Sequence, residues 1–137
     1  MGLILDSSIA IAAERRGENV GDLMDKIANS FGNQEAALSS IGLTELVHGI
    51  YRATSPAGRQ RREAFLDQLL RATVVYPYTK ETAQLAGRID GEQQALGNVI
   101  PFVDLLIGVT ALSLQYSLVT FNLRHFQMIP GLHVVQL

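Results

Sequence analysis

The sequence predicts an α/β fold in which a parallel sheet carries helices on both of its faces. Short apolar runs alternate with longer amphipathic stretches along all 137 residues, and this alternation is typical of parallel strands joined by helices. The length suffices for one hydrophobic core but not for two independent domains. A hydrophobic content of 47% with 18% charged residues is typical of globular rather than disordered chains. We therefore predict a single domain over residues 1–137.

Five short apolar runs, each bounded by polar or turn-forming residues, are predicted to be the strands. They are Gly2–Leu5, Glu35–Ser39, Val74–Tyr76, Leu118–Thr120 and His133–Val135. The first run ends abruptly at Asp6, in the stretch "LILDSS". In open α/β sheets, ligands bind outside the carboxyl ends of the strands, so Asp6 is a candidate functional residue.

Six segments between these runs carry apolar residues at helical spacing or residues that begin and end helices. They are Ile9–Arg16, Val20–Phe31 after the capping residue Asn19, Leu43–Ile50, a segment that Ser55 and Pro56 open, Thr79–Leu96, and Phe102–Leu114. The last of these helices is apolar on nearly every side and is therefore expected to be buried.

Composition excludes several classes of function. The chain contains no cysteine, which removes disulfides, thiolate catalysis and cysteine-ligated zinc. A net charge of −2 and a pI near 5.9 argue against nucleic-acid binding by bulk electrostatics alone. The sequence shows no bilayer-spanning stretch and no secretory signal, so we expect a cytoplasmic protein. A mean hydropathy of +0.18 suggests that a partner or a second copy covers some apolar surface.

Three acidic residues lie in apolar surroundings where a charge is unexpected. Asp6 ends the first strand, Glu45 lies in "SSIGLTELVHGI", and Asp104 interrupts "IPFVDLLIGV". Ionised carboxylates near a core are costly unless they are paired or bound to metal, and none of these stretches contains lysine or arginine. Strand ends and helix starts converge at one edge of such a sheet. We therefore expect a cluster of like charges that requires a cation.

Each of these carboxylates also has a purely structural interpretation. Asp6 could cap the first helix, and Glu45 could be solvated beside its apolar stripe. Asp104 could be favoured by the dipole of the helix that begins after Pro101. Taken singly, none of the three decides between structure and function.

The chemistry of the predicted cluster points to a divalent ion. Oxygen ligands without cysteine suit Mg²⁺ or Mn²⁺, which are held by a few carboxylates and keep water for a phosphate substrate. Such an ion lowers the pKa of a water molecule and neutralises charge in the transition state. The cluster therefore predicts hydrolysis of phosphodiesters.

Four blocks of the sequence, taken in order, resemble the PIN-domain ribonucleases, and specifically the VapC toxins of bacterial and archaeal toxin–antitoxin pairs. The blocks are "LILDSSI" with Asp6 and Ser7, "LSSIGLTELVHGI" with Glu45, Leu46 and Gly49, "GNVIPFVDLLIGVTAL" with Asp104, and "LVTFNLRHFQMIPGLHV" with Thr120 and Asn122. The resemblance covers essentially the whole chain.

The resemblance implies a metal-dependent endoribonuclease with a PIN-like fold. Asp6, Glu45 and Asp104 are expected to hold Mg²⁺ or Mn²⁺, and Asn122 is expected to assist them. Structured RNA such as tRNA or rRNA loops is the implied substrate. The resemblance also implies a homodimer and a cognate antitoxin. The antitoxin would inhibit the enzyme by filling the acidic cleft, with an arginine in place of the metal's charge.

Three further residues are expected to support the residues that bind the metal. Ser7 and Thr120 are predicted to orient the carboxylates. His125 stands where the family often carries an acid before the phenylalanine of the last block. It could be a metal ligand, a phosphate contact when protonated, or a residue at a helix end. With fewer negative charges, the site is expected to hold one ion firmly, and an imidazole would favour Mn²⁺ over Mg²⁺.

Other functions remain as alternatives. A phosphatase with an aspartate nucleophile would carry a second aspartate where Ser8 stands. A dinucleotide-binding domain would carry a glycine fingerprint after the first strand, and it is missing. The alternative that His125 favours is a PIN-like module that binds RNA or a protein without cutting it.

Overall fold

A computed structural model describes residues 1–137 and contains one sheet of five parallel strands in the order β3-β2-β1-β4-β5. The strands are β1 Gly2–Leu5, β2 Glu35–Ser39, β3 Val74–Tyr76, β4 Ser117–Thr120 and β5 Val134–Gln136. The predicted parallel α/β fold is thereby confirmed. The bounds of the first three strands are as predicted, whereas β4 begins one residue earlier than predicted and β5 begins and ends one residue later.

Seven helices connect and cover the strands. They are α1 Ser7–Arg15, α2 Val20–Phe31, α3 Ser40–Tyr51, α4 Pro56–Ala72, α5 Lys80–Ala95, α6 Phe102–Leu114 and α7 Leu123–Phe126. Side-chain caps begin several of them, since Asn19, Ser39 and Ser55 each accept a hydrogen bond from a backbone N–H three residues later. The sequence did not predict α7, because four residues are too few to show a helical period.

The side chains of the central strand β1 alternate between two hydrophobic cores. Leu3 and Leu5 pack with residues of α1, α2 and α4, whereas Ile4 packs with residues of α5 and α6. This period of two is that of a strand covered on both faces, as predicted. Each of the three side chains is at most 1% exposed, and such burial contributes about 1.5–3 kcal/mol per side chain.

The sheet order places a crevice at the carboxyl ends of β1 and β4. From β1 the chain proceeds to β2 and β3 on one side, and later to β4 and β5 on the other. The direction of the sheet therefore switches between β1 and β4, which is where open α/β sheets bind their ligands. Asp6 follows β1, and Thr120 ends β4.

The helix α6 borders this crevice and is only partly buried. Its middle, from Ile107 to Ala111, is buried as predicted. The prediction is wrong for the first turn, where Phe102 is 67% exposed and Val103 is 39% exposed. None of the helices has both the length and the apolar character needed to cross a membrane.

Candidate active site

Asp6 is a buried carboxylate fixed at the end of β1. Its backbone N–H donates to the carbonyl of Val119 on β4 at 2.9 Å, and its residue is only 2% exposed. Ser8 Oγ and Thr120 Oγ1 both donate to Asp6 Oδ2, at 2.8 and 2.9 Å. Asp6 occupies the N-cap position of α1, but its side chain forms no capping hydrogen bond. Capping therefore does not explain why an acid stands here.

Two hydroxyl groups connect Asp6 to the loop that follows β4. Thr120 is fully buried, and its Oγ1 also accepts the backbone N–H of Asn122 at 2.8 Å. Ser8 Oγ similarly accepts the backbone N–H of Phe121 at 3.3 Å. The sequence reasoning identified Thr120 but missed Ser8. The adjacent pair of serines in "LILDSS" was the available signal. Successive helix residues point in different directions, so the two hydroxyls can contact two different carboxylates.

Glu45 lies on α3 and is held by the other serine of that pair. Ser7 Oγ donates to Glu45 Oε1 at 2.8 Å. Partial burial raises the pKa of the Glu45 carboxyl above its usual value, and the negative charges of Asp6 and Asp104 raise it further, while the bond from Ser7 opposes the shift. The three carboxylates therefore lie within electrostatic range of one another.

Asp104 lies in the first turn of α6 and is bound by His125 of α7. The distance between His125 Nδ1 and Asp104 Oδ2 is 2.7 Å. Burial raises the pKa of the Asp104 carboxyl, the hydrogen bond from His125 lowers it, and the charge of Asp6 raises it. The side chain of Asp104 is only 17% exposed, so it is not a freely solvated surface acid.

The three carboxylates share one pattern of hydrogen bonding. In each, one oxygen is bound by protein donors, and the other oxygen forms no hydrogen bond within the protein. These second oxygens are accessible to solvent. The side-chain oxygen that is both fully buried and without a hydrogen-bond partner is Oε2 of Glu18, which belongs to none of the three carboxylates. No lysine or arginine forms an ion pair with any of the three. The protein therefore leaves free carboxylate oxygens that suit a hard divalent cation.

The carboxylates form an electrostatic cluster rather than a closed cage. No three acidic or histidine side chains lie close enough together to enclose a metal ion. Mg²⁺ usually contacts one or two carboxylates and keeps several waters, so the donor set fits an ion bound in that way. Asn122 is exposed, and its side chain accepts no capping hydrogen bond from the backbone of α7. Its assisting role stays a prediction.

A cavity of about 350 Å³ opens beside Glu45, between α1, α3 and α4. Its lining includes the apolar residues Phe65 and Leu66 and the basic residue Arg52. Neither Asp6 nor Asp104 lines this cavity. It therefore adjoins the carboxylate cluster on one side and is not the site of the cluster itself.

Comparisons with known proteins show which families and structures this chain resembles. The sequence profile of the family described as PIN domain matches residues 3–131. Ribonuclease VapC1 of Rickettsia felis is 34% identical over 135 residues, which are 98% of this chain and 96% of the relative. Ribonuclease VapC of Rickettsia bellii is 32% identical over the same shares of the two chains.

A solved structure shows the same fold. The crystal structure of VapBC2 from Rickettsia felis, bound to a DNA fragment from its promoter, contains a similar chain with a TM-score of 0.85. The two chains are 25% identical, and the similarity covers 100% of this chain and 99% of the other. The fold described above is thus shared, over its whole length, with a chain of that VapBC2 structure.

Proposed function

Because this chain belongs to the PIN-domain family, in the branch of the VapC ribonucleases, we propose that it is a divalent-metal-dependent endoribonuclease. It would act as the toxin of a toxin–antitoxin pair. The observation that carries the proposal is the cluster of Asp6, Glu45 and Asp104, in which each carboxylate keeps one oxygen without a protein partner. Three like charges that form no ion pair with lysine or arginine favour the binding of a divalent cation.

The proposed mechanism assigns a separate task to each side chain. A bound Mg²⁺ or Mn²⁺ supplies positive charge that lowers the pKa of a water and stabilises the negative charge developing on the phosphate. Of Asp6, Glu45 and Asp104, one or two would contact the ion through their free oxygens and the others would act through its bound waters, with the carbonyl oxygen of Asn122 assisting. The hydroxyls that bind Asp6 and Glu45 restrict the rotation of these carboxylates, so little ordering remains when the ion arrives.

The proposed substrate is structured RNA in which unpaired bases are accessible, such as a loop of tRNA or rRNA. One relative is named tRNA(fMet)-specific endonuclease VapC, from Salmonella typhimurium, and is 31% identical over 97 residues, or 71% of this chain. The net charge of −2 gives no bulk attraction for RNA. Binding would therefore depend on local contacts with the phosphates and on the ion. Action on such RNA would place the enzyme in the cytoplasm.

The proposed regulator is a cognate antitoxin protein. The similar chain from Rickettsia felis was crystallised as part of VapBC2. The cavity beside Glu45 offers apolar walls from Phe65 and Leu66, which would suit an apolar segment of the antitoxin. An arginine from the same segment could pair with the carboxylates in place of the metal, since guanidinium and carboxylate form strong bidentate bonds.

We also propose a homodimer. Leu96, Val99 and Phe102 are 72%, 70% and 67% exposed and follow one another around the turn between α5 and α6. Exposed apolar residues that cluster in this way are typical of an association surface. Light scattering coupled to gel filtration measures the mass directly, and a monomer at micromolar concentration would contradict this part of the proposal.

The test of the proposed activity is the substitution Asp104→Asn. We expect the variant to fold as the parent does and to lose Mn²⁺-dependent cleavage of RNA, because the charge is removed while the size of the side chain is kept. The matched control is Asp67→Asn, the same change at an exposed position of α4. Cleavage that survives in Asp104→Asn, or that continues in excess EDTA, would contradict the assignment.

One observation favours the alternative of a PIN-like module that binds RNA or a protein without cutting it. No three acidic or histidine side chains are close enough to enclose an ion. Calorimetric titration of the metal-free protein with Mn²⁺ separates the two functions. The nuclease requires binding that Asp104→Asn abolishes, whereas an inert module has no reason to bind the ion at these carboxylates.

A further inference from the structure

His125 makes the one contact that distinguishes Asp104 from the other two carboxylates. Asp6 and Glu45 are bound by hydroxyl groups, whereas Asp104 Oδ2 is bound by the imidazole Nδ1 of His125 at 2.7 Å. A carboxylate that binds a metal ion is ionised and can only accept a hydrogen bond, so for Asp104 to serve as a ligand Nδ1 must carry the proton. The second ring nitrogen, Nε2, forms no hydrogen bond within the protein, and the His125 side chain is 33% exposed.

The position of His125 is fixed by the packing of α7 and the turn after it against α6. Phe126 is fully buried, and Ile129 is 2% exposed. Both approach Gly108, where an added Cβ would lie 2.4 Å from Ile129 Cδ1 and 3.2 Å from Phe126 Cδ1. Gly108 lies four residues after Asp104, and therefore on the same face of α6. The missing side chain at Gly108 allows the close approach that brings His125 to Asp104.

We propose that His125 is a positioning residue for the divalent ion, acting through Asp104. Its Nδ1–H would hold Oδ2, and this would leave Oδ1 of Asp104 free to bind the ion. Asp104 has no other hydrogen-bond donor, so without His125 its carboxylate would rotate freely and bind the ion less tightly. Direct ligation through Nδ1 conflicts with the observed bond. This inference rests on the proposed metal-dependent function.

Calorimetric titration of the full chain with MnCl₂ tests the proposal without measuring cleavage. We expect His125→Ala to weaken Mn²⁺ binding by about 10- to 100-fold, as is usual when the partner of a metal ligand is removed. His125→Asn places an amide N–H near the former position of Nδ1, and we expect it to stay within about threefold of the parent. His125→Gln places its amide nearer the position of Nε2 and should behave as His125→Ala does.

His133→Ala is the matched control. His133 is exposed and pairs with Ser117 Oγ at 2.7 Å, and Ser117 begins β4, at the opposite edge of the sheet from Asp6. This variant should bind Mn²⁺ as the parent does. Circular dichroism of each variant verifies folding. If His125→Ala does not fold, the comparison of His125→Asn with His125→Gln carries the test.

The possible results separate this inference from the proposed function. If the parent binds Mn²⁺ and Asp104→Asn does not, but all His125 variants bind as the parent does, the positioning role is overturned and the metal site stands. Equal weakening in His125→Asn and His125→Gln would also overturn it, because the donor at the Nδ1 position would then be irrelevant. If the parent itself binds no Mn²⁺, both proposals fail.

Discussion

The substitution Thr120→Val is the strongest test of how the site is built. It removes the fully buried hydroxyl of Thr120 while keeping the shape of the side chain. Thr120 Oγ1 donates to Asp6 Oδ2 at 2.9 Å and accepts the backbone N–H of Asn122 at 2.8 Å. Valine can do neither. The variant therefore leaves Asp6 with a single donor, from Ser8.

The expected cost follows from these two contacts. A hydrogen bond to a charged group contributes about 1.5–3 kcal/mol, and a backbone N–H left without a partner costs about 1–3 kcal/mol. The added methyl of valine offsets about 1 kcal/mol of this sum. We expect Thr120→Val to lower the free energy of unfolding by about 3 kcal/mol. Since unfolding entropy is about 0.3 kcal/mol/K for a chain of this length, the melting temperature should fall by about 10 °C.

The assay is urea unfolding in EDTA, with Thr110→Val as control. Thr110 is 1% exposed, and its hydroxyl donates only to the carbonyl of Leu106 in its own helix, at 2.8 Å. That carbonyl keeps its helical hydrogen bond in the variant, so we expect a loss below about 1 kcal/mol. A difference between the two variants of less than about 0.5 kcal/mol would refute the role of the Thr120 hydroxyl.

Two further predictions concern pH and packing. The pKa of Glu45 is raised in the folded protein above its ordinary value of 4.5, so the folded state binds this proton more tightly than the unfolded chain. The stability that this tighter proton binding contributes is fully present below pH 4.5. It is lost as the pH rises through the pKa of Glu45 in the folded protein. In urea unfolding without metal, Glu45→Gln should therefore gain stability relative to the parent as the pH increases, and a difference independent of pH would contradict this. Gly108→Ala should lower the free energy of unfolding by about 1–3 kcal/mol, because its methyl would overlap Ile129. Thermal unfolding measures this loss, and a variant as stable as the parent would show that the contact is not tight.

The elements of the fold were predictable because each depends on neighbours along the chain. The strand Gly2–Leu5 and the cap at Asn19 are recognised from residues within one or two turns, and both are confirmed. The short helix α7 was not predicted, because its stability comes from packing Phe126 against α6 rather than from a periodic pattern. Exposure of Phe102 was also missed, since an apolar sequence does not show which of its residues a neighbour covers.

The sequence by itself determined the alternation of strands and helices, the caps, and the presence of three acids in apolar surroundings, since these are local properties of the chain. Only the tertiary structure decided which groups meet. Ser7 reaches Glu45 across 38 positions, Thr120 reaches Asp6 across 114, and His125 reaches Asp104 across 21. The physical reason is that a side-chain hydrogen bond requires atoms about 3 Å apart, and only the order of strands and the packing of helices bring such distant residues to that distance.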